Sequence, residues 1–510
     1  MNPLKLSSIL KLFEFLFKIH KAEFWKVQIF FVFLIFFGAY WTFAATIGDT
    51  LFLSSFGDDS RKMIPWVYIG IAIVTVLVSL IADKLQNTFS KLKLICSVEM
   101  ILALSVLIFR YAIKIENGFV FYALVIWLEV CALFSLTLIF SYMGDFFNSH
   151  DAKRVYAYIN GGIAIGGIAA GYGVNFLIDF VSPENLLFLC ALLLLALGIM
   201  PILISLKYKT IEVDIDAEEG EEEIKYVPTM TLFRNKYILI VFAIVFIQIL
   251  YWVFLDFQLK SMASKELSKI ELANFFGLFY RYMGIASLFV QFVLVRVLIN
   301  RLGLLPSLLI TPIISFIGSL IFFLTPRFKI IAAFNIGYLS FSETLNNPAK
   351  QLLFFPLSQR IRIKAQVFAG GVLTPLGQGA AGVLLIILVS AIENPAYYSI
   401  FVFILSGLSI LLILLLKPFY KKILSDSLQK KQLNPSDLVK ILSSPGSEEI
   451  IKEILLTENS EVALFTMNAI GSVEDISEYL PIIANLVDSQ NEQIAAQAIR
   501  LIREKGDNAY

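Results

Sequence analysis

The sequence predicts an all-α, polytopic membrane protein: twelve transmembrane helices in two six-helix halves, then a small C-terminal α-solenoid. Three observations carry this. Apolar stretches recur between Val27 and Leu416, and a helix needs ~20 such residues to cross a ~30 Å hydrocarbon layer. Weak internal similarity at a spacing of about 210 residues divides those stretches into two sets. Beyond Lys422 the chain turns water-soluble and carries a helical repeat. With 58% of residues hydrophobic and 16% charged, most soluble-enzyme readings are excluded, and the few intramembrane charges become the first candidates for function.

Residues 1–24 read as an amphipathic helix on the membrane surface. Leu6, Ile9, Leu10, Phe13, Leu16 and Phe17 keep helical spacing, and Lys5, Lys11 and Lys18 supply basic edges. The first half, 25–205, holds apolar spans at 27–53, 64–82, 92–112, 119–143, 155–178 and 185–205. The first of these is too long for a cleaved signal, and no small-residue cleavage site follows it. Residues 206–236 form an acidic cytoplasmic linker, since the run Asp214 to Glu223 has no apolar period. The second half, 237–417, holds spans at 237–259, 273–298, 304–324, 329–345, 364–390 and 396–416.

A connecting segment, 418–432, leads to helical repeats over 433–510. Glu461 to Gly471 corresponds to Gln493 to Arg503 at an offset of 32 residues, near the period of α-solenoids. The pattern resembles short HEAT repeats. About two units are present where about three are needed to stand alone, so the tail leans on the membrane domain or on a cytoplasmic protein partner.

Basic residues gather at one set of span ends: Lys18, Lys21 and Lys26, Lys84 and Lys91, Lys153 and Arg154, Arg360 and Arg362, then Lys417 and Lys422. This bias places both termini in the cytoplasm, in a cell (inner) membrane. A net charge of +1 selects no particular partner, and none of the motifs points to nucleic acid. Cys96, Cys131 and Cys190 fall within spans and read as packing residues; His20 and His150 are isolated. No metal site and no cofactor are expected, and the absence of a Walker lysine loop argues against ATP-driven pumping by this chain alone.

The two halves echo each other. Tyr40-Trp41 mirrors Tyr251-Trp252, and Lys153 to Gly171 mirrors Lys364 to Gly382, each ending in Ala-Ala-Gly. Two such halves with a site at their midplane interface are the major-facilitator arrangement. Gly161, Gly162, Gly166, Gly167 and Gly171 allow close helix approach.

Glu129, in Ile126-Trp-Leu-Glu-Val-Cys131, sits within the fourth span, where an ionised carboxylate costs ~2.5–3.5 kcal/mol unless paired or wet. Arg281, in the eighth span, is the best intramembrane cation for an anionic substrate, and both are expected to face a central cavity. Asp49 lies late in the first span, and Asp256 lies one helical turn before Lys260 in the seventh. Glu343 and Lys350 flank Pro348 in Ser342-Glu-Thr-Leu-Asn-Asn-Pro-Ala-Lys350. Pro348 is expected to break its helix and free backbone groups to line a cavity.

These motifs resemble the ATP/ADP translocase family. The resemblance covers roughly residues 25–417. It is carried by Asp151-Ala-Lys-Arg-Val-Tyr156, Phe276 to Gly284, Asn347-Pro-Ala-Lys350, Phe355-Pro-Leu357 and Thr374-Pro-Leu-Gly-Gln378, with Glu129 within one residue of the family's fourth-span glutamate. It implies a nucleotide antiporter that binds ATP. Three positions depart from the pattern: Gly48 stands where the family has a lysine, Gln378 where it has another, and Trp252 near its seventh-span glutamate. A triphosphate needs several cations to leave water, so these departures bear on the substrate more than on the fold.

The reading is a secondary transporter, not an enzyme, moving a nucleotide-like or other organic anionic solute by alternating access. Glu129, Arg281 and Lys350 lead the binding residues, followed by Asp49, Asp256, Glu343 and Gln378. Lys153 and Arg154 serve the gate. Two other readings are a transporter-like sensor or scaffold that signals through its helical tail, and a lipid or amphiphile transporter. Removing residues 433–510 is expected to leave the membrane helices inserted, with transport reduced or unregulated. Circular dichroism and proteoliposome uptake check this; failure to insert would make the repeats integral to the fold.

Overall fold

Hydrocarbon offers backbone groups no water to pair with, so each apolar run closes its hydrogen bonds within itself. The computed structural model describes residues 19, 23–147, 149–208, 230–294, 298, 303–429, 455, 460–471, 479–489 and 491–505; among them the chain is helical and has no strand. Residues 1–18 of the expected surface helix, the acidic run 214–223 and residues 430–454 lie outside the described residues.

The first six helices are α1 (Phe24–Phe56), α2 (Ser60–Thr88), α3 (Lys91–Ala112), α4 (Gly118–Met143), α5 (Ser149–Leu177) and α6 (Leu186–Lys207). After the short α7 (Met230–Arg234) come α8 (Lys236–Glu266), α9 (Lys269–Phe289), α10 (Leu304–Leu324) and α11 (Phe328–Phe341). Then follow α12 (Asn347–Leu352), α13 (Gln359–Phe368), α14 (Thr374–Ala391) and α15 (Tyr398–Gln429). Nine helical stretches among the described residues are long and apolar enough to cross a membrane; the first of them, Phe24–Gln86, takes in α1 and all but the last two residues of α2. Helices α5 and α11 occupy expected span positions but are not among those nine.

Pro348 does not break its helix. A π turn, Ser342–Asn346, joins α11 to α12, and the Asn347 amide donates back to the Ser342 carbonyl. A second π turn, Ala369–Leu373, joins α13 to α14 just before Pro375, with the Thr374 amide donating to Ala369. Each wide turn takes up the missing proline N–H without ending the helix.

One apolar core lies among α1 and α3–α6, and includes Phe33, Leu128, Cys131 and Cys190. A second is shared by the far end of α1, α2, α8, α9, α14 and α15. All three cysteines are free thiols, two of them fully buried, as packing residues would be. Where α5 crosses α9, a Cβ on Gly171 would sit 2.5 Å from the Gly277 carbonyl oxygen. Where α2 crosses α14, a Cβ on Gly382 would sit 2.8 Å from the Pro65 carbonyl oxygen. Small residues thus let backbones touch where the early helices meet the late ones.

The tail's described helices are α16 (Ser460–Gly471), α17 (Leu480–Ala484) and α18 (Glu492–Lys505). Ala463, Met467 and Ile470 of α16 meet Ala498 and Leu501 of α18 in a core that also takes in Leu424 from α15. The last long helix therefore runs on past its apolar stretch and seats the tail.

Gly171→Leu should destabilise the protein by ~1–3 kcal/mol through overpacking. Gly337→Leu, whose added Cβ meets nothing within 4 Å, is the matched control. Melting in detergent separates them; equal melting temperatures would mean that α5 and α9 do not need the close crossing.

Candidate functional site

Two groups of charged residues are brought together, and they lie at different depths. The first is built on Lys260, which shares one face of α8 with Asp256 four residues earlier. Its ammonium lies 3.0 Å from Asp256 Oδ2 and 3.0 Å from Asp49 Oδ1 of α1. Tyr68 of α2 donates its hydroxyl to Asp256 at 2.6 Å. Asp49 and Lys260 are largely shielded, with side chains 8% and 19% exposed, so each needs a counter-charge close by. Glu129 of α4 and Trp41 of α1 border the same small space, only about 30 Å³ and so about the size of one water.

Other polar links join the early and late helices at this end. Arg61, at the start of α2, donates to the Ile392 and Glu393 carbonyls at 2.5 and 2.6 Å. Glu184 pairs with Lys269, and Asn175 of α5 donates to the Asn274 carbonyl at 2.8 Å. Together with the Lys260 cluster they close this end of the molecule.

The second group lines a cavity of about 490 Å³. Gln248 and Trp252 of α8 reach it; they lie about 12–18 Å along the helix from Lys260, on the side of Lys236. Ser342 and Glu343 come from one π turn, and Ala369 and Gly370 from the other. Lys350 and Asn347 of α12, Thr374 and Gln378 of α14, and Tyr338 complete the polar and aromatic wall. Asn347 donates to Glu343 at 3.2 Å, and Asn346 donates to Gln248 at 2.8 Å. Among the described residues, Lys350 and Glu343 are the only charges on this wall. Leu133 of α4 is shared with a neighbouring 220 Å³ space lined by Thr75, Ser79, Gln86 and Thr137. The early helices therefore face the interior with hydroxyls and one amide.

Of the sequence-predicted residues, the structure gathers Asp49, Asp256 and Glu129 at the closed end, and Glu343, Lys350 and Gln378 at the cavity. It does not bring Arg281 to Glu129. The Arg281 guanidinium lies 4.4 Å from the Tyr172 ring centre and 4.9 Å from that of Tyr282, and it borders neither space. Both rings are exposed on the helix bundle, and cation–π contact there holds the charge at the α5–α9 crossing. Lys153 and Arg154 lie in the first turns of α5, and their side chains are outside the described residues.

Three features escaped sequence reasoning. Lys260 is the hub of the closed end, although its i,i+4 spacing from Asp256 was visible. Glu99 of α3 is fully buried and takes a hydrogen bond from Ser135 at 3.0 Å; only its position within an apolar run marks it. The π turns Ser342–Asn346 and Ala369–Leu373 leave no local signature apart from the prolines that follow them, and a third, Val290–Leu294, lacks even that. Among the described residues no His, Cys, Asp and Glu cluster could hold a metal.

The Major Facilitator Superfamily family model matches residues 29–353. Among solved structures, the nucleoside transporter NupG is 17% identical, with a TM-score of 0.54 over 78% of this chain and 99% of that one. A D-xylose–proton symporter is 13% identical, with a TM-score of 0.55 over 77% and 97% of the two chains. The inward-open xylose transporter XylE from E. coli is 13% identical, with a TM-score of 0.50 over 77% and 95%. At such identities the likeness is one of fold. No curated relative matches the sequence.

Lys260→Gln would leave two shielded carboxylates without a counter-charge. A loss of ~3–5 kcal/mol is expected, as for other broken buried pairs. Adding Asp49→Asn and Asp256→Asn should recover most of it. Melting of the unaltered protein, Lys260→Gln, the Asp49→Asn/Asp256→Asn pair and the triple variant in detergent checks this, and simple additivity would show that the lysine and the two carboxylates are not coupled.

Proposed function

Because the chain belongs to the Major Facilitator Superfamily, we propose that it is a secondary transporter for a polar, weakly charged organic solute of nucleoside-like or mono-anionic kind. The observation that carries this reading is the wall of the 490 Å³ cavity. Trp252 offers a flat apolar face to a ring, as base-stacking aromatics do, while Tyr338 and Gln248 are buried within the wall. Asn347, Gln351 and Gln378 offer paired donors and acceptors to a heterocycle's edge. Lys350 supplies one cation and Glu343 one acid. A triphosphate carries roughly four charges and would need more cations than this wall holds, so adenine-nucleotide exchange is the less favoured form of the proposal.

The proposed cycle is a rocking of residues 25–205 against 237–417, with both termini on the cytoplasmic side of the cell membrane. It takes the apolar helical stretches together with α5 and the α11–α12 pair as twelve spans. Opening the closed end would part Lys260 from Asp49 yet leave Lys260 with Asp256, because those two share α8. The ammonium thus keeps one counter-charge in both states, which lowers the cost of opening. Exchange or an ion gradient supplies the energy. The shared core of Leu424 with the tail favours a regulatory role for the tail rather than a separate sensor function.

Proteoliposome uptake of a labelled nucleoside, its monophosphate and its triphosphate tests the proposal. Uptake of the first or second is expected, reduced by Lys350→Gln for the anion only. Gln378→Lys should shift preference toward the polyphosphate by about tenfold, the worth of one charge-assisted hydrogen bond. Efficient triphosphate exchange by the unaltered protein would overturn the weak-charge reading, and no uptake of any of the three would remove the solute class.

A further inference from the structure

A second cavity of about 490 Å³ lies apart from the solute path, between α7, the start of α8 and the end of α15. Arg234, Lys236 and Lys422 border it, and among the described residues no acid does. All three cations are exposed, and none makes an ion pair among the described residues. Thr231, Asn235 and Tyr237 stand beside the cations, and Ile238, Ile361, Phe419 and Ile423 give the cavity an apolar side.

The depth of this cavity follows from the helices that build it. Lys236 opens the apolar stretch Lys236–Glu266, Gln359 opens Gln359–Ala391, and Leu424 closes Pro395–Leu424. The ends of these three stretches meet here, so the cavity lies at one end of the helical bundle, with cations beside an apolar side. Long basic side chains at such a boundary extend their charges to the interface.

We propose that this cavity binds the headgroup of an anionic phospholipid, its phosphate between Arg234, Lys236 and Lys422 and one acyl chain along Phe419 and Ile423. Charge complementarity selects the phosphate, and the guanidinium offers it a two-pronged contact. The apolar side selects a lipid over a free anion, since a soluble phosphate gains nothing from Ile361, Phe419 or Ile423. Occupancy would tie α8, which carries Lys260, to α15, which seats the tail.

Native mass spectrometry of the full-length protein, delipidated and then offered equal phosphatidylglycerol and phosphatidylcholine, tests this. Preferential retention of phosphatidylglycerol is expected. Arg234→Gln, Lys236→Gln and Lys422→Gln together should abolish the preference, at about fivefold for each cation removed near an anionic surface. Lys62→Gln, at the opposite end, should leave it unchanged. If the triple variant fails to fold, Lys422→Gln alone gives the same readout, since that side chain is exposed. Equal retention of the two lipids, or a preference untouched by the substitutions, would overturn the proposal. Displacement of the bound lipid by millimolar inorganic phosphate would assign the site to a free anion and overturn the lipid reading.

Discussion

A charge that enters hydrocarbon must bring its counter-charge with it, and Lys260 shows what that requirement builds. Its ammonium touches one carboxylate on its own helix and one on α1, each at 3.0 Å. The pair within α8 needs only helical spacing. The pair with Asp49 needs two helices from opposite parts of the chain to meet at one depth. Tyr68 then spends its hydroxyl on Asp256 and draws α2 into the same cluster. This cluster, with the Arg61, Glu184–Lys269 and Asn175–Asn274 links, ties the early helices to the late ones at the closed end.

The cavity depends on a different local device. A proline within a helix removes a donor and crowds the preceding turn. Here both relevant prolines follow π turns, which widen the helix and turn Glu343 on one side and Gly370 on the other toward the interior. Such wide turns often mark functional positions because they re-aim side chains without ending the helix. The paired Trp residues of the internal repeat divide between the two spaces. Trp41 borders the small closed one, and Trp252 borders the large one. Related sequence thus serves both sides of the barrier.

Glycine crossings bring the early and late helices close. At α5–α9 and α2–α14 a glycine sets backbone against backbone, with the Arg281 and Ile69 side chains packed beside the contact. Polar links at one end add to these crossings. The seating of the tail on Leu424 extends the last helix beyond the membrane and connects it to the soluble repeats.

The membrane class, the positions of the apolar helices, the packing role of the cysteines and the pairing of Asp256 with Lys260 were legible along the chain. Each rests on a local quantity: hydropathy over about 20 residues, or a spacing of one helical turn. The offset between the tail helices was legible for the same reason. Which face of one helix meets which face of another was not. Lipid is as apolar as leucine, so hydropathy does not choose a partner helix; packing and polar contacts do. That choice sent Arg281 to the tyrosines instead of to Glu129, joined Asp49 to Lys260, and set Lys350 and Gln378 on one wall. At Pro348 the expected break is replaced by the π turn Ser342–Asn346, which carries the helix on to Leu352.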